Sequence, residues 1–209
     1  MESQEKFIIG IILFIVIAIG IIILLNVDKG YYEYKGLYGD FIISPIKMEN
    51  LTFYDVHTIQ DGRRYIIPLH NKPEDVENIY LESKIVDKLN KKEGIEMLYV
   101  TKDPDIINLT GGRASIAVIE FGRILGTNNY GLYKINTKSA VTKDIGDKIT
   151  PVITCSDINS TISVIHVKLG KENRIYSENK CVIVEGIDGD GLIKAADKFS
   201  YHLMGIMWF

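Results

Sequence analysis

The amino-acid sequence predicts an α/β protein in which an N-terminal transmembrane helix is followed by an α/β sandwich with a mixed, partly parallel sheet. Residues 7–25 are uniformly apolar, which predicts the transmembrane helix. In the rest of the chain, short β-branched runs alternate with segments of helical periodicity, which predicts the sandwich. The whole chain is 46% hydrophobic and 24% charged, so enough apolar side chains remain outside the first segment to form a globular core.

The apolar segment FIIGIILFIVIAIGIIILL runs from Phe7 to Leu25 without a charge, an amide or a proline. As a helix it is about 28 Å long, which matches the hydrocarbon core of a bilayer. The tail MESQEK is not the basic region of a cleaved signal, and no small-residue cleavage site follows the segment, so we expect a retained anchor. A buried core helix is the alternative, although such a helix normally has one polar face. The predicted parts are a tail (1–6), a transmembrane anchor (7–27), a juxtamembrane β-rich portion (28–60) and an α/β domain (61–209).

Modification sites predict which side of the membrane the body occupies. Asn-x-Ser/Thr glycosylation acceptors begin at Asn50, Asn108 and Asn159. The two cysteines, Cys155 and Cys181, permit one disulfide bond in an oxidising compartment; a pair of buried thiols is the alternative. Lysines lie on both sides of the apolar segment, so the charge rule does not decide the orientation. We therefore expect a single-pass protein of the cell membrane with an extracytoplasmic body.

The first part of the body is rich in strand signals. Aromatic and β-branched runs between Gly, Asp and Pro predict strands over 31–44, 51–59 and 64–69. A proline followed by acidic residues predicts a helix over 73–90, which 79–82 could interrupt as extended chain.

The second part alternates strands and helices. Residues 96–101 predict a buried strand, and TGGRASIAVIEFGRILG (110–126) predicts a helix that Gly126 ends. Residues 128–148 predict a surface loop with short strands. Three β-branched runs predict strands over 150–155, 162–167 and 181–185, and a helix with Asp188 or Asp190 as its cap follows them. This last βα unit favours a partly parallel sheet.

The start of the helix at 110–126 is the candidate anion-binding site. Its residues are Thr110, Gly111, Gly112 and Arg113, where free backbone amides could join a guanidinium around a carboxylate or phosphate. The alternative is a helix cap with close packing, because no second basic residue or catalytic partner is near in sequence. The turn GIDGDG (186–191) has the wrong glycine spacing for a phosphate loop and predicts a capping turn.

Other classes of site lack their sequence signals. Four histidines occur without zinc-type spacing, and there is no G-x-S-x-G, H-E-x-x-H or Cys/His pair at a family spacing. We therefore predict no metal site, no cofactor and no catalytic residue. The net charge of −3, the pI near 5.8 and the scattered Lys and Arg residues argue against a nucleic-acid partner.

The C-terminal segment VIVEGIDGDGLIKAADKFSYHLMGI combines a strand, an acidic turn and an Ala-Ala-Asp helix. It resembles the α/β units of archaeal S-layer-type surface proteins. Together with the apolar anchor and the stretch from YVTKDPD to FGRILG, it makes the chain similar to uncharacterised archaeal single-pass membrane proteins rich in Ile and Lys. This resemblance implies a role at the cell surface and brings no catalytic residues with it.

The expected function is that of a membrane-anchored extracytoplasmic binding or structural domain without catalytic activity. Its expected partners are the membrane and another membrane or surface component, such as a lattice protein, a membrane-complex subunit or a glycan. One alternative is a membrane-tethered hydrolase or transferase that uses the helix start at Arg113. Another is a pilin-like filament subunit, because Glu5 precedes a long apolar helix, although Lys6 and the missing basic leader oppose it.

Overall fold

The computed structural model describes residues 30–83, 85, 89, 95–127 and 131–208. The chain divides into two units, Met1–Tyr32 and Glu33–Phe209, and only the last three residues of the first unit are described. The predicted tail and anchor, residues 1–27, therefore lie outside the described residues. None of the helices in the described ranges is both long enough and apolar enough to cross a membrane.

The first sheet forms from consecutive strands, which lie in chain order across it: β1 (Tyr32–Gly36), β2 (Gly39–Met48), β3 (Leu51–Gln60) and β4 (Arg63–Leu69). β3 is antiparallel to both β2 and β4. Asp61 and Gly62, which join β3 to β4, both have positive φ (50° and 73°), as a two-residue hairpin turn requires.

The second sheet has six strands in the described part: β5 (Tyr80–Leu81), β6 (Met97–Lys102), β7 (Thr137–Val141), β8 (Ile162–Leu169), β9 (Arg174–Glu178) and β10 (Cys181–Gly186). Their order across the sheet is β5-β9-β10-β8-β6-β7. β10, β8, β6 and β7 form its parallel part, whereas β9 is antiparallel to β10 and β5 is parallel to β9.

Three α-helices lie in the described part: α1 (Ile106–Thr110), α2 (Arg113–Leu125) and α3 (Gly189–Leu203). α2 packs on β6, β7 and α3, and α3 packs on β10. Phe121 of α2 meets Phe199 of α3 edge to face, with ring centroids 5.7 Å apart, and both side chains are fully buried. Asp188 caps α3 by accepting a 2.7 Å hydrogen bond from the Gly191 amide, as the sequence predicts.

Among the described residues, a loop segment and not a helix covers the opposite face of the second sheet. Alternation along the strands places Val100 toward α2 and Tyr99 on the other face. There Val164 and Ile183 pack with the segment 153–158, which includes a 3₁₀ turn at Cys155–Asp157. A disulfide bond between Cys155 and Cys181 joins this segment to β10.

The predicted fold class is wrong. The prediction is an N-terminal transmembrane helix followed by an α/β sandwich with a mixed, partly parallel sheet. In its described part, which does not include residues 7–25, the structure is a mixed, sheet-rich fold with two sheets and three helices, none of which could span a membrane. Short hairpin turns pair β2, β3 and β4 with one another. Their backbone hydrogen bonds are therefore satisfied locally, in a sheet separate from the parallel strands.

Individual elements match the sequence unequally. The helix predicted over 110–126 is confirmed, and so are the strands over 96–101, 162–167 and 181–185. The strand predicted over 150–155 is wrong, because only Val152 pairs there, through an isolated bridge to Val141. In place of the first half of the helix over 73–90 the chain has a 3₁₀ turn at Pro73–Asp75 and then β5; several residues from 84 onward lie outside the described ranges.

Candidate functional site

One face of the first sheet carries a group of exposed apolar side chains. The register aligns Ile42, His57 and Ile66 across β2, β3 and β4. The next row, Ile43, Val56 and Ile67, points to the other face, and all three of its side chains are fully buried. Alternation along the strands therefore separates a buried face from an exposed one.

We call the exposed side of β2–β4 the open face. Its large apolar side chains are between 40% and 68% exposed: Ile42, Ile46, Met48, Leu51, Ile59 and Ile66. Antiparallel sheets usually present polar side chains to solvent, so a run of isoleucines on the outer face is unusual. An exposed apolar patch of this kind marks an interaction surface.

The open face carries little charge at its centre. Asp55 and His57 are its central ionisable groups, and the Ser44 hydroxyl lies 3.2 Å from His57 Nε2. Partial burial raises the pKa of Asp55 above its ordinary value, and nearby His57 opposes this shift. The face is therefore suited to an apolar surface rather than to a polyanion.

The four residues of the predicted anion site lie together where α1 ends and α2 begins. Gly111 and Gly112 both have positive φ, 58° and 86°, which lets the chain turn between the helices. The Thr110 hydroxyl donates to Ile106 O and accepts from the Ala114 amide. Arg113 Nε donates to Asp190 Oδ1 at 2.5 Å, so the guanidinium already has a carboxylate of the same chain as its partner.

The predicted modification sites lie in different parts of the body. Asn50 is in the turn between β2 and β3, Asn108 is in α1, and both are exposed. Asn159 is also exposed, and its Oδ1 accepts hydrogen bonds from the amides of Thr161 and Ile162. Glycosylation at these three positions stays a prediction.

A polar cleft of about 430 Å³ lies beside the disulfide bond. Asp103 and Thr142 line it just after β6 and β7, together with His166 and Lys168 of β8. Burial lowers the pKa of His166, and Lys168 lowers it further. The carboxyl ends of parallel strands are a common place for ligands, and this cleft is where the second sheet offers one.

One group of metal-type side chains lies close together in the described part: His70, Glu120 and Asp197, whose ligand atoms lie within 4.8 Å of one another. His70 follows β4, Glu120 is in α2 and Asp197 is in α3. Sequence spacing does not predict this group, because 50 residues separate His70 from Glu120 and 77 separate Glu120 from Asp197. The available signal was a carboxylate next to the apolar stripe of each helix, since Glu120 precedes Phe121 and Asp197 follows Ala196.

The architecture defines a class of protein, a two-sheet domain with helices on one side of its larger sheet and an open apolar face on its smaller one. No protein-family model, curated protein or solved structure matches the chain.

Proposed function

We propose that this protein is a membrane-tethered extracytoplasmic binding domain whose open face binds an apolar surface of a neighbouring membrane or surface protein. The observation that carries the proposal is the set of six exposed apolar side chains on β2–β4. Keeping them in water is unfavourable by about 25 cal/mol per Å² of apolar surface, and binding a partner removes that area from water.

The open face has the size of an interface core. β2 and β3 have ten residues each and β4 has seven, which at about 3.4 Å per residue and about 4.8 Å per strand gives roughly 440 Å². A standard interface buries about 800 Å² on each partner, of which the centre is apolar and the rim is polar. The open face is thus large enough to form the centre of a specific complex.

Its chemistry favours a protein over a charged ligand. The side chains that stand out from it are isoleucine, leucine and methionine, and the ionisable groups at its centre are one carboxyl group, Asp55, and one imidazole, His57. A polyanion would need a cluster of Lys and Arg, which the centre of the face lacks among the described residues.

Three further observations support the location. The apolar segment 7–25 has the length of a bilayer core and precedes the body directly. The Cys155–Cys181 bond is of the kind that persists in oxidising compartments. The resemblance of the C-terminal segment to archaeal surface proteins points the same way.

Site-specific photo-crosslinking in the native cells tests the binding surface. A photo-reactive amino acid replaces Ile66 on the open face in one variant and Ile145, in the loop after β7, in a matched control; both isoleucines are 47% exposed. We expect a discrete protein adduct at position 66 that is absent at position 145. Equal adducts at both positions, none at either, or adducts with lipid alone at position 66 would overturn the proposal.

A charge substitution on the same face adds an independent measurement. Ile66→Lys should abolish the adduct formed by a photo-reactive residue at position 59, because a desolvated ammonium opposes an apolar partner. Its thermal unfolding midpoint should stay within about 2 °C of the parent, since exposed substitutions change stability by only about 0.5 kcal/mol. Ile145→Lys serves as the control and should leave the adduct in place.

Topology is tested by labelling intact cells with a membrane-impermeant thiol reagent before and after reduction, together with protease shaving. We expect labelling only after reduction, at the part-exposed Cys155 and not at the fully buried Cys181, and digestion of the body from outside the cell. Protection of the body until lysis would contradict the extracytoplasmic location.

A further inference from the structure

We propose that His70, Glu120 and Asp197 form a binding site for one divalent transition-metal ion, with Zn²⁺ as the best-matched common ion. The three side chains come from the end of β4, from α2 and from α3, and their ligand atoms lie within 4.8 Å of one another. An imidazole with two carboxylates is a donor set that zinc and neighbouring divalent metals accept. The proposal is independent of the open face.

The two carboxylates of the cluster, Glu120 and Asp197, are deeply buried and incompletely hydrogen-bonded. The Glu120 side chain is 1% exposed and Asp197 is fully buried. In the described part, neither Glu120 Oε2 nor Asp197 Oδ1 receives a hydrogen bond from a donor group. Two adjacent buried carboxylates are unfavourable unless a proton or a cation compensates their charge. The two carboxyl groups lie within hydrogen-bonding reach of each other and burial raises the pKa of both, so without a metal they share a proton whose place a bound cation would take.

Hydrogen bonds from Asn71 orient the Asp197 side chain. The backbone amide and the side-chain Nδ2 of Asn71 both donate to Asp197 Oδ2, each at 2.7 Å. Asn71 is itself held by Tyr201, whose hydroxyl donates to Asn71 O at 2.8 Å. Asp197 Oδ1 is thus left as the ligand atom, in the manner of outer-shell contacts that fix metal ligands.

The cationic side chains next to the cluster donate hydrogen bonds to backbone carbonyls elsewhere. Arg123, one turn after Glu120, donates from Nη1 to Pro68 O at 2.7 Å. Lys198, next to Asp197 in sequence, donates to Glu77 O at 3.1 Å. Among the described residues no ion pair joins either cation to Glu120 or Asp197, although Arg123 is near enough to lower the pKa of Glu120.

Solvent reaches the cluster on the His70 side, and three protein ligands leave one coordination position open for water. His70 is the only member of the trio with appreciable exposure, 20% for its side chain, so an ion and a water ligand can approach past the imidazole. In the structure His70 Nδ1 lies 2.5 Å from Glu120 Oε1. Two ligands on one tetrahedral zinc ion lie about 3.4 Å apart, so metal binding replaces this hydrogen bond and moves the two atoms apart by about 1 Å. Three protein ligands with one open position is the arrangement of zinc sites that hold a water molecule.

The test uses the full chain, purified in detergent without a polyhistidine tag and with its disulfide bond intact, after removal of metal with a chelator. Zn²⁺ binding is then measured by competition with a chromophoric chelator, and the bound metal is counted per chain. We expect one Zn²⁺ ion per chain and at least a tenfold loss of affinity in His70→Ala. His202→Gln removes a part-buried histidine of α3 outside the cluster and should bind as the parent does.

A second variant distinguishes the loss of a metal ligand from a folding defect. Glu120→Gln keeps the shape of the side chain and removes its charge, so it should also lose at least tenfold in affinity; its circular dichroism spectrum without metal reports whether it folds. His70→Ala, at a partly exposed position, decides the question if Glu120→Gln does not fold. Zinc should raise the thermal midpoint of the parent and not that of His70→Ala. Absence of stoichiometric binding at about 100 μM Zn²⁺, or equal affinity in the parent and His70→Ala, would overturn the proposal.

Discussion

Removal of the Cys155–Cys181 bond should weaken the whole body, because the bond closes a long loop and anchors the cover of one sheet face. The two cysteines are 26 residues apart, and Cys181 is fully buried in β10. The chain-entropy relation for a loop of this length gives a stabilisation of about 3.5 kcal/mol at 25 °C. Since a typical domain is stable by 5–15 kcal/mol, this single bond contributes a large part of the total.

The packing around the bond adds a local consequence. Ile153 and Ile158 pack with Val164 and Ile183 on the sheet face opposite α2. Without the covalent connection, the segment is held by this packing, by the cap in which Thr154 and Asp157 bond each other, and by hydrogen bonds from the Ile153 amide to Val141 O and from the Thr101 hydroxyl to Ile153 O. We therefore expect segment 153–158 to open before the rest of the body unfolds.

The assay is urea unfolding of the full chain in detergent, followed by circular dichroism, for the parent and Cys155→Ala. A loss of about 3.5 kcal/mol lowers the midpoint by about 1–3 M urea, given slopes of about 1–3 kcal/mol per M. Ser156→Ala is the control, because its exposed side chain lies beside the bond without forming it, and its midpoint should match that of the parent. A Cys155→Ala midpoint within about 0.3 M of the parent, with the parent shown by mass to carry no free thiol, would refute the reasoning.

Two further predictions concern the core and the polar cleft. Phe121→Ala should destabilise the body by about 3–5 kcal/mol because it empties the contact with Phe199, whereas Ile119→Ala on the exposed side of α2 should change little; thermal unfolding of both variants measures this, and equal midpoints would contradict it. His166 predicts a loss of stability in acid. Burial holds its folded-state pKa below the ordinary value of 6.5, so the unfolded chain takes up the proton first and the free energy of unfolding decreases as the pH falls through 6.5. Lys168 adds to this shift, and Asp103 and Glu178 oppose it. His166→Gln should flatten the dependence between pH 7.5 and 5, and an unchanged slope would show that other groups cause it.

Local elements of the second sheet could be predicted because their signals are local. The apolar residues of α2 recur at helical spacing between Arg113 and Leu125, and Gly126 ends the helix. Asp188 marks the start of α3 directly after a fully buried β-branched strand. These patterns depend on residues within one or two turns of each other, and a single sequence contains all of them.

The division into two sheets could not be predicted because it depends on pairing between strands. β8 pairs with β6 across 65 residues (Met97 with Ile162), and β9 is a five-residue strand, Arg174–Glu178, with little apolar pattern of its own. The open face was hidden for a similar reason. In the run Phe41, Ile42, Ile43 both faces of β2 are apolar, so alternation does not tell which face the rest of the molecule covers.

The buried metal-type cluster and the open face are connected through β4. Ile66 lies on the open face and His70 follows only four residues later, at the end of the same strand. That end is already held by Arg123, which donates to Pro68 O, and by Tyr201, which donates to Asn71 O. A metal ion bound by His70, Glu120 and Asp197 would add a direct link from this strand to α2 and α3, and would fix the orientation of the open face on the helices. If both proposals hold, depletion of metal should weaken crosslinking at position 66, whereas a metal-independent adduct would show that β4 is held without the ion.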